Sequence, residues 1–263
     1  MGTLFGVTLW AESVERAKLG FSRAFARVAA LNRILSDYAA GSELNSLDQT
    51  PRVVSSELYS VLRFSRELSE ASGGAFDVTV GPLTRLWRAR APLTAAARAL
   101  VDWRELHVVG GRAWLGRAGM RLDLGAVGKG FAADEVLRVL RGMGIRRVLV
   151  AASGDIVCGD APPGLRGWTV AAGERLELRR AAVSTSGDTQ QFFERDGTRY
   201  SHILDPRRGE SLTDVLEVSI VAGNGMTADG LATAVRVMGV APSAGLLRTF
   251  GGRVVRGGRS GSR

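Results

Sequence analysis

His107-Val108-Val109-Gly110-Gly111-Arg112-Ala113-Trp114 places two short apolar runs around a Gly-Gly turn, and its reading decides the fold. Paired glycines supply the positive dihedrals of a tight hairpin, so the flanking runs pair antiparallel. Gln191 to Ile203 repeats the arrangement, turning at Asp196-Gly197. Working outward, Met1 to Trp10 alternates like a strand, Val148 to Ala151 has the composition of a buried strand, and Val215 to Ala222 is a further strand. Met120 to Leu124 is expected to add another, and Trp168-Thr169-Val170 resumes the pattern after the Pro162-Pro163-Gly164 loop. Helical spacing predicts segments over Glu12 to Leu35, with Phe21, Phe25, Val28, Leu31 and Leu35 on one face, and over Ser55 to Ala71, ending at Gly73-Gly74. Two more helices read from Phe131 to Met143 and from about Thr227 to Met238. Asp37 to Asp48 reads as a polar turn and Arg88 to Arg98 as a variable surface connection. Hairpins mixed with separated helices give an α+β class with a mixed, largely antiparallel sheet rather than a regular βαβ array.

The chain has 263 residues and is 45% apolar, enough to fill a sizeable core. One domain is expected over residues 1–255, followed by a disordered glycine- and arginine-rich tail over 256–263. A single cysteine, Cys158, excludes an internal disulfide framework and any multi-cysteine metal site. The net charge of +9 is almost all arginine, scattered from Arg16 to Arg263, with Lys18 and Lys129 the only lysines. No basic cluster is interleaved with aromatics, so no nucleic-acid partner is expected. Nothing approaches the roughly 18 uninterrupted apolar residues of a membrane span. With no signal peptide or lipobox visible, a cytoplasmic location is expected for the chain as given, and an extracytoplasmic one if a leader was removed.

Three polar constellations could carry chemistry. Asp229 and Thr233 stand one turn apart at a helix start, so a carboxylate and a hydroxyl could meet one hard cation. The same pair could instead answer the helix dipole and the preceding turn. Asp123 and Lys129 bracket Gly125 and Gly128, with Gly130 beyond, at a strand-to-helix passage where backbone can approach a phosphate closely. A tight turn with a surface lysine is the plainer account, although a lysine is unusual in this arginine-using chain. Ser201-His202-Ile203-Leu204-Asp205-Pro206 offers an imidazole beside a rigid turn, as a base or as a buried structural histidine. His107, in an apolar strand, reads as structural. Ser72 to Asp77 either bends around a planar ring, presenting Phe76 or Asp77, or simply stops a helix. Ser42-Glu43, Ser153-Gly154-Asp155 and Thr185-Ser186-Gly187-Asp188 are polar turns of the same open kind.

In order and spacing, Met1-Gly2-Thr3, Tyr38 to Leu44, Ser72 to Trp87, Asp123 to Asp134, Thr185-Ser186-Gly187, His202 to Gly209 and Ala228 to Gly239 resemble the FAD:protein FMN transferase (ApbE) family. The resemblance spans Met1 to about Gly239. It departs from the family pattern at Gly128, where alanine often precedes the lysine, at Ser153, which replaces a glycine, and at Ala232, where some members carry another polar group. The resemblance implies a T-fold-related architecture and magnesium-dependent transfer of the FMN half of FAD to a threonine or serine hydroxyl, with AMP leaving. By position it implies flavin-nucleotide contacts at Met1, Tyr38, Ala75, Phe76, Asp77, Asp123, Lys129 and Ile203. It further implies a Mg2+ site from the Ala126 carbonyl, Asp229 and Thr233, and His202 as the base. FAD is then the substrate, and the partner is an acceptor flavoprotein with a threonine or serine flavinylation motif, such as a subunit of a membrane redox complex. Two other activities fit the same residues: a magnesium-dependent FAD pyrophosphatase giving FMN and AMP, and a flavin-binding protein without catalysis.

Overall fold

The computed structural model describes residues 3–187 and 191–258. β1 (Phe5–Leu9) leads into α1 (Val14–Leu35), which starts where the Ser13 hydroxyl accepts the Arg16 amide. α1 buries Gly20, Ala24, Leu31 and Leu35, whereas Phe25, expected on the core face, is exposed. β2 (Arg52–Val53) precedes α2 (Ser56–Ala71), capped by Ser55, and a positive-φ turn at Gly73-Gly74 ends it. α3 (Gly81–Arg88) and α4 (Ala95–Arg98) follow. The stretch expected to be a surface connection therefore carries the end of one helix and the whole of another. Leu93 and Ala97 pack there against a small core of Leu83, Val101 and Leu204.

The Gly-Gly hairpin is present as β3 (Leu106–Val109) and β4 (Arg112–Leu115). The strand expected over Met120 to Leu124 is absent: Arg121 makes one isolated parallel bridge to Val80, and the Asp123 amide donates to the Val78 carbonyl at 2.8 Å. Leu122 and Leu124 are buried, so that apolar run serves core filling without a ladder partner. After α5 (Gly128–Gly142) come β5 (Val148–Ala152), β6 (Asp155–Cys158), β7 (Trp168–Ala171), β8 (Arg175–Leu178) and β9 (Ala181–Ser186). Thr185 and Ser186, read as a turn, thus close a strand. The second hairpin is β10 (Phe192–Arg195) and β11 (Thr198–Ser201), turning at Asp196-Gly197. β12 (Leu204–Asp205), β13 (Glu210–Ser211), β14 (Glu217–Ala222), α6 (Gly225–Met238), α7 (Ala244–Phe250) and β15 (Arg253–Gly258) complete the order. β15 pairs with β14 as far as Gly258, so the first three residues of the expected disordered tail belong to the sheet.

Six strands in the order β1-β5-β6-β9-β14-β15, every neighbour antiparallel, form the central sheet. Alternation along β5 separates its faces: Val148 and Val150 turn to a core with Val136 and Leu140 of α5, while Leu149 packs on the other side. There the β7–β8 ribbon lays Trp168, Val170, Leu176 and Leu178 over Cys158 and Val183. Each fully buried Leu or Val contributes about 1.5–3 kcal/mol, so the sheet is held from both sides. Burial also pushes the Cys158 thiol up to about 12, which leaves it a core filler. No helix among the described residues is long and apolar enough to cross a membrane.

Candidate active site

α5 and α6 start side by side. A Cβ on Gly130 would lie 2.1 Å from the Gly225 carbonyl oxygen, and one on Gly225 would lie 2.5 Å from that of Gly130, so only glycine permits this backbone contact. The Asp134 carboxylate secures the contact by accepting the Gly225 and Met226 amides at 2.7 and 2.9 Å, and Asn224 caps the Thr227 amide. One turn into α6, Asp229 is then held against the first turn of α5.

Its carboxylate accepts the Gly130 amide at 3.1 Å, the amide that a continuing helix would return to the Ala126 carbonyl. Both oxygens also lie 3.2 Å from Lys129 Nζ, which donates to the Gly125 carbonyl at 2.6 Å. Asp155, at the start of β6, brings Oδ2 to 3.3 Å from the same nitrogen. The other Asp155 oxygen accepts the Ser184 hydroxyl from the facing position of β9. Burial alone would lower the Lys129 ammonium, but Asp155 and Asp229 outweigh it and hold the charge firmly. Burial, then repulsion from Asp155, pushes the Asp229 carboxyl up in spite of Lys129.

Asp123 continues the site from Gly125. Its Oδ1 accepts the Gly125 amide at 2.8 Å and its Oδ2 accepts Arg88 at 2.7 Å. Arg88 also binds Asp37 and lies 4.2 Å from the centre of the Tyr38 ring, which is 67% exposed. The result is a flat aromatic surface backed by a guanidinium and flanked by carboxylates. Residue Trp87 reaches the opposite way, meeting the His202 ring edge-on at 6.3 Å and Phe193 of β10 at 5.6 Å. His202 Nδ1 lies 3.0 Å from the Gln191 carbonyl, so a neutral ring places its proton there and its lone pair on Nε2. α3 therefore touches both the Tyr38 surface and the His202 ring.

The other residues expected here divide. Phe76 is 2% exposed with its ring in the main core, and Ala75 and Asp77 are buried, so the 72–77 turn presents none of these side chains as a face to a ligand. Asp77 instead accepts the Thr79 amide and hydroxyl and the Trp103 amide, tying two loops together while burial pushes it up to about 6. Ile203 is buried, its amide given to Ser201 Oγ and its carbonyl accepting the Leu212 amide. Met1 lies outside the described residues. His107 stacks on Trp114 at 4.9 Å in β3–β4. Sequence reasoning missed Trp87, Arg88 and Asp155 as members of the site. A proline-started segment ending Trp-Arg was the available signal for the first two, and Asp155 carried none beyond its place in a polar turn.

The ApbE family model matches residues 1–254. The chain belongs to the ApbE family. It is 36% identical over 255 residues to the FAD:protein FMN transferase of Treponema pallidum, covering 82% of this chain and 69% of that protein. It is 30% identical to one from Klebsiella pneumoniae, covering 91% and 77%. Among solved ApbE structures, the apo flavinyl transferase of Pseudomonas stutzeri superposes with a TM-score of 0.86 at 29% identity, over 99% of this chain and 89% of that one. The Vibrio cholerae flavin transferase superposes with a TM-score of 0.85 at 27% identity, over 97% and 89%. The α+β fold is thus that of the ApbE flavin transferases.

The metal that an ApbE resemblance implies can be tested against the donors present. Among the described residues no three His, Cys, Asp or Glu side chains gather around one point, so a soft transition-metal centre has no ligand set. Hard oxygen donors are present instead. Asp229 and the half-buried Thr233 share a face of α6, the Ala126 carbonyl precedes α5, and the buried Asp155 Oδ2 has no hydrogen-bond donor. One or two carboxylates with carbonyl, hydroxyl and water oxygens suit magnesium, and the residues fit it.

Proposed function

We propose that this ApbE protein transfers the FMN half of FAD to a threonine or serine hydroxyl of an acceptor protein, with magnesium, releasing AMP. The observation that carries the reading is the convergence of Lys129, Asp229 and Asp155 where two helices start, one Gly125 away from the Asp123–Arg88–Tyr38 surface. Arginine-backed Tyr38 suits a stacked aromatic ring system. Lys129, Asp229 and the helix starts suit a pyrophosphate with its counter-cation.

The acceptor hydroxyl is a weak nucleophile until it loses its proton, which His202 Nε2 takes while Nδ1 stays on Gln191. The oxygen then bonds to the FMN phosphorus as the bond to the AMP oxygen breaks. Magnesium, held by Asp229, Thr233 and the Ala126 carbonyl, supplies charge neutralisation on the phosphate oxygens when bound. Lys129 adds a second positive charge, so positioning and electrostatics carry most of the rate.

The test is incubation with FAD, magnesium and a threonine-bearing acceptor domain, read by intact mass and by AMP release. An acceptor gain of one FMN group supports the transferase, provided that His202→Gln lowers it by a factor on the order of 100 to 10,000 while FAD still binds. AMP with free FMN and an unmodified acceptor would assign a pyrophosphatase instead. FAD binding with neither product would assign a carrier.

A further inference from the structure

We infer that the Lys129 ammonium is a placeholder cation, seated in an oxygen cage that the divalent cation takes over, and that Asp155 is a further carboxylate of that cage. Four oxygens from three segments surround one nitrogen: the Gly125 carbonyl at 2.6 Å, both Asp229 oxygens at 3.2 Å and Asp155 Oδ2 at 3.3 Å. An ammonium has three protons and cannot serve four acceptors well. Asp155 Oδ2 is the one left buried without a donor. Its direction is nonetheless fixed, because Ser184 holds the other oxygen and the β6–β9 register holds both residues.

Charge makes the same point. Two buried carboxylates face one partly exposed ammonium, leaving a formal excess of one negative charge. A divalent cation removes that excess and takes mixed carboxylate and carbonyl oxygens readily. The ammonium already occupies the position centred on both Asp229 oxygens, the one that a cation chelated by that carboxylate would take. Metal entry therefore requires Lys129 to leave, which frees its charge for the pyrophosphate. One residue then serves in turn as counter-ion to the unloaded site and as a phosphate contact in the loaded one.

This inference rests on Asp229 being a cation ligand. Calorimetric titration of magnesium into the full chain, without FAD, tests the two separately. Wild-type protein that binds no magnesium at millimolar concentration overturns the Asp229 reading and the inference together. If wild type binds, Lys129→Met is expected to bind magnesium about tenfold more tightly, since the cage is no longer self-occupied. Asp155→Asn is expected to bind about tenfold more weakly. Unchanged or weaker binding by Lys129→Met, or unchanged binding by Asp155→Asn, overturns the inference alone.

A measurement on the unaltered chain covers the case in which a variant does not fold. With only Lys18 and Lys129 present, 15N-ζ-lysine labelling gives at most two ammonium signals. Magnesium should move the Lys129 signal and leave that of Lys18 in place. A Lys129 signal unmoved at saturating magnesium sinks the placeholder.

Discussion

Arg88 donates to Asp123 Oδ2 at 2.7 Å, joining the last turn of α3 to the segment that leads into the lysine-bearing helix. The same guanidinium meets Asp37 and covers Tyr38, so one side chain sets the spacing of three groups. Arg88→Gln should weaken FAD binding about tenfold, measured by quenching of flavin fluorescence. It leaves Asp37 and Asp123 as unscreened like charges and removes the support beneath the ring. Arg88→Lys should recover little, because a point charge copies neither the fork nor the stacking. Equal binding by all three proteins would show that Tyr38 needs no support.

The contact between Gly130 and Gly225 predicts a steep structural response. Gly130→Ala drives a methyl into backbone, which cannot turn aside, so a loss of about 3 kcal/mol or more is expected in chemical denaturation. Magnesium binding should fall with it, because Asp229 moves from the first turn of α5. A variant within 1 kcal/mol of wild type would contradict the spacing.

Buried carboxylates give stability a characteristic slope with pH. Asp134 stands at about 6 in the folded chain through burial, above its ordinary value of 3.8. The folded state thus binds this proton more tightly, so the contribution is complete below about pH 4 and is lost as pH rises through 6, by about 3 kcal/mol at most. Asp77 acts in the same direction and over the same window. In thermal melts between pH 4.5 and 6.5, Asp134→Asn should flatten the descent relative to wild type. An unchanged slope would assign the proton elsewhere.

Ser153 has a φ of +57°, a left-handed conformation at the turn between β5 and β6. Its hydroxyl bonds that of Thr3 at an exposed position, a modest compensation. Chemical denaturation should rank the variants with Ser153→Gly most stable, by about 0.5–1 kcal/mol, and Ser153→Val least, since β-branching is worst there. The reverse order would mean that the hydroxyl contact dominates.

Hairpins and long helices were legible because their signals are local. Gly110-Gly111 and Asp196-Gly197 sit at their turns, and α2 and α6 begin within two residues of where periodicity puts them. Lys129 and Asp229 were legible as candidates for the same reason, standing at glycine-rich helix starts. What escaped was everything settled by neighbours distant in the chain. Met120 to Leu124 has strand composition but makes only an isolated bridge to Val80 and one amide hydrogen bond to Val78, and Phe76 reads like an aromatic platform until the core claims its ring. Asp155 is an acid in a turn until β9 brings Ser184 opposite and α5 brings Lys129 alongside. Arg88 looked like one of many surface arginines because its three partners lie 35 to 51 positions away.

α3 is eight residues long, and its consecutive Trp87 and Arg88 face opposite halves of the site. Successive helical residues differ by about 100° in direction, which is how two adjacent side chains serve two places. The His202 ring and the Tyr38 surface are consequently both buttressed by one helix, so a shift of that helix disturbs both supports at once. Trp87 and Arg88 are thus separate handles on the two places, each open to change without touching the other.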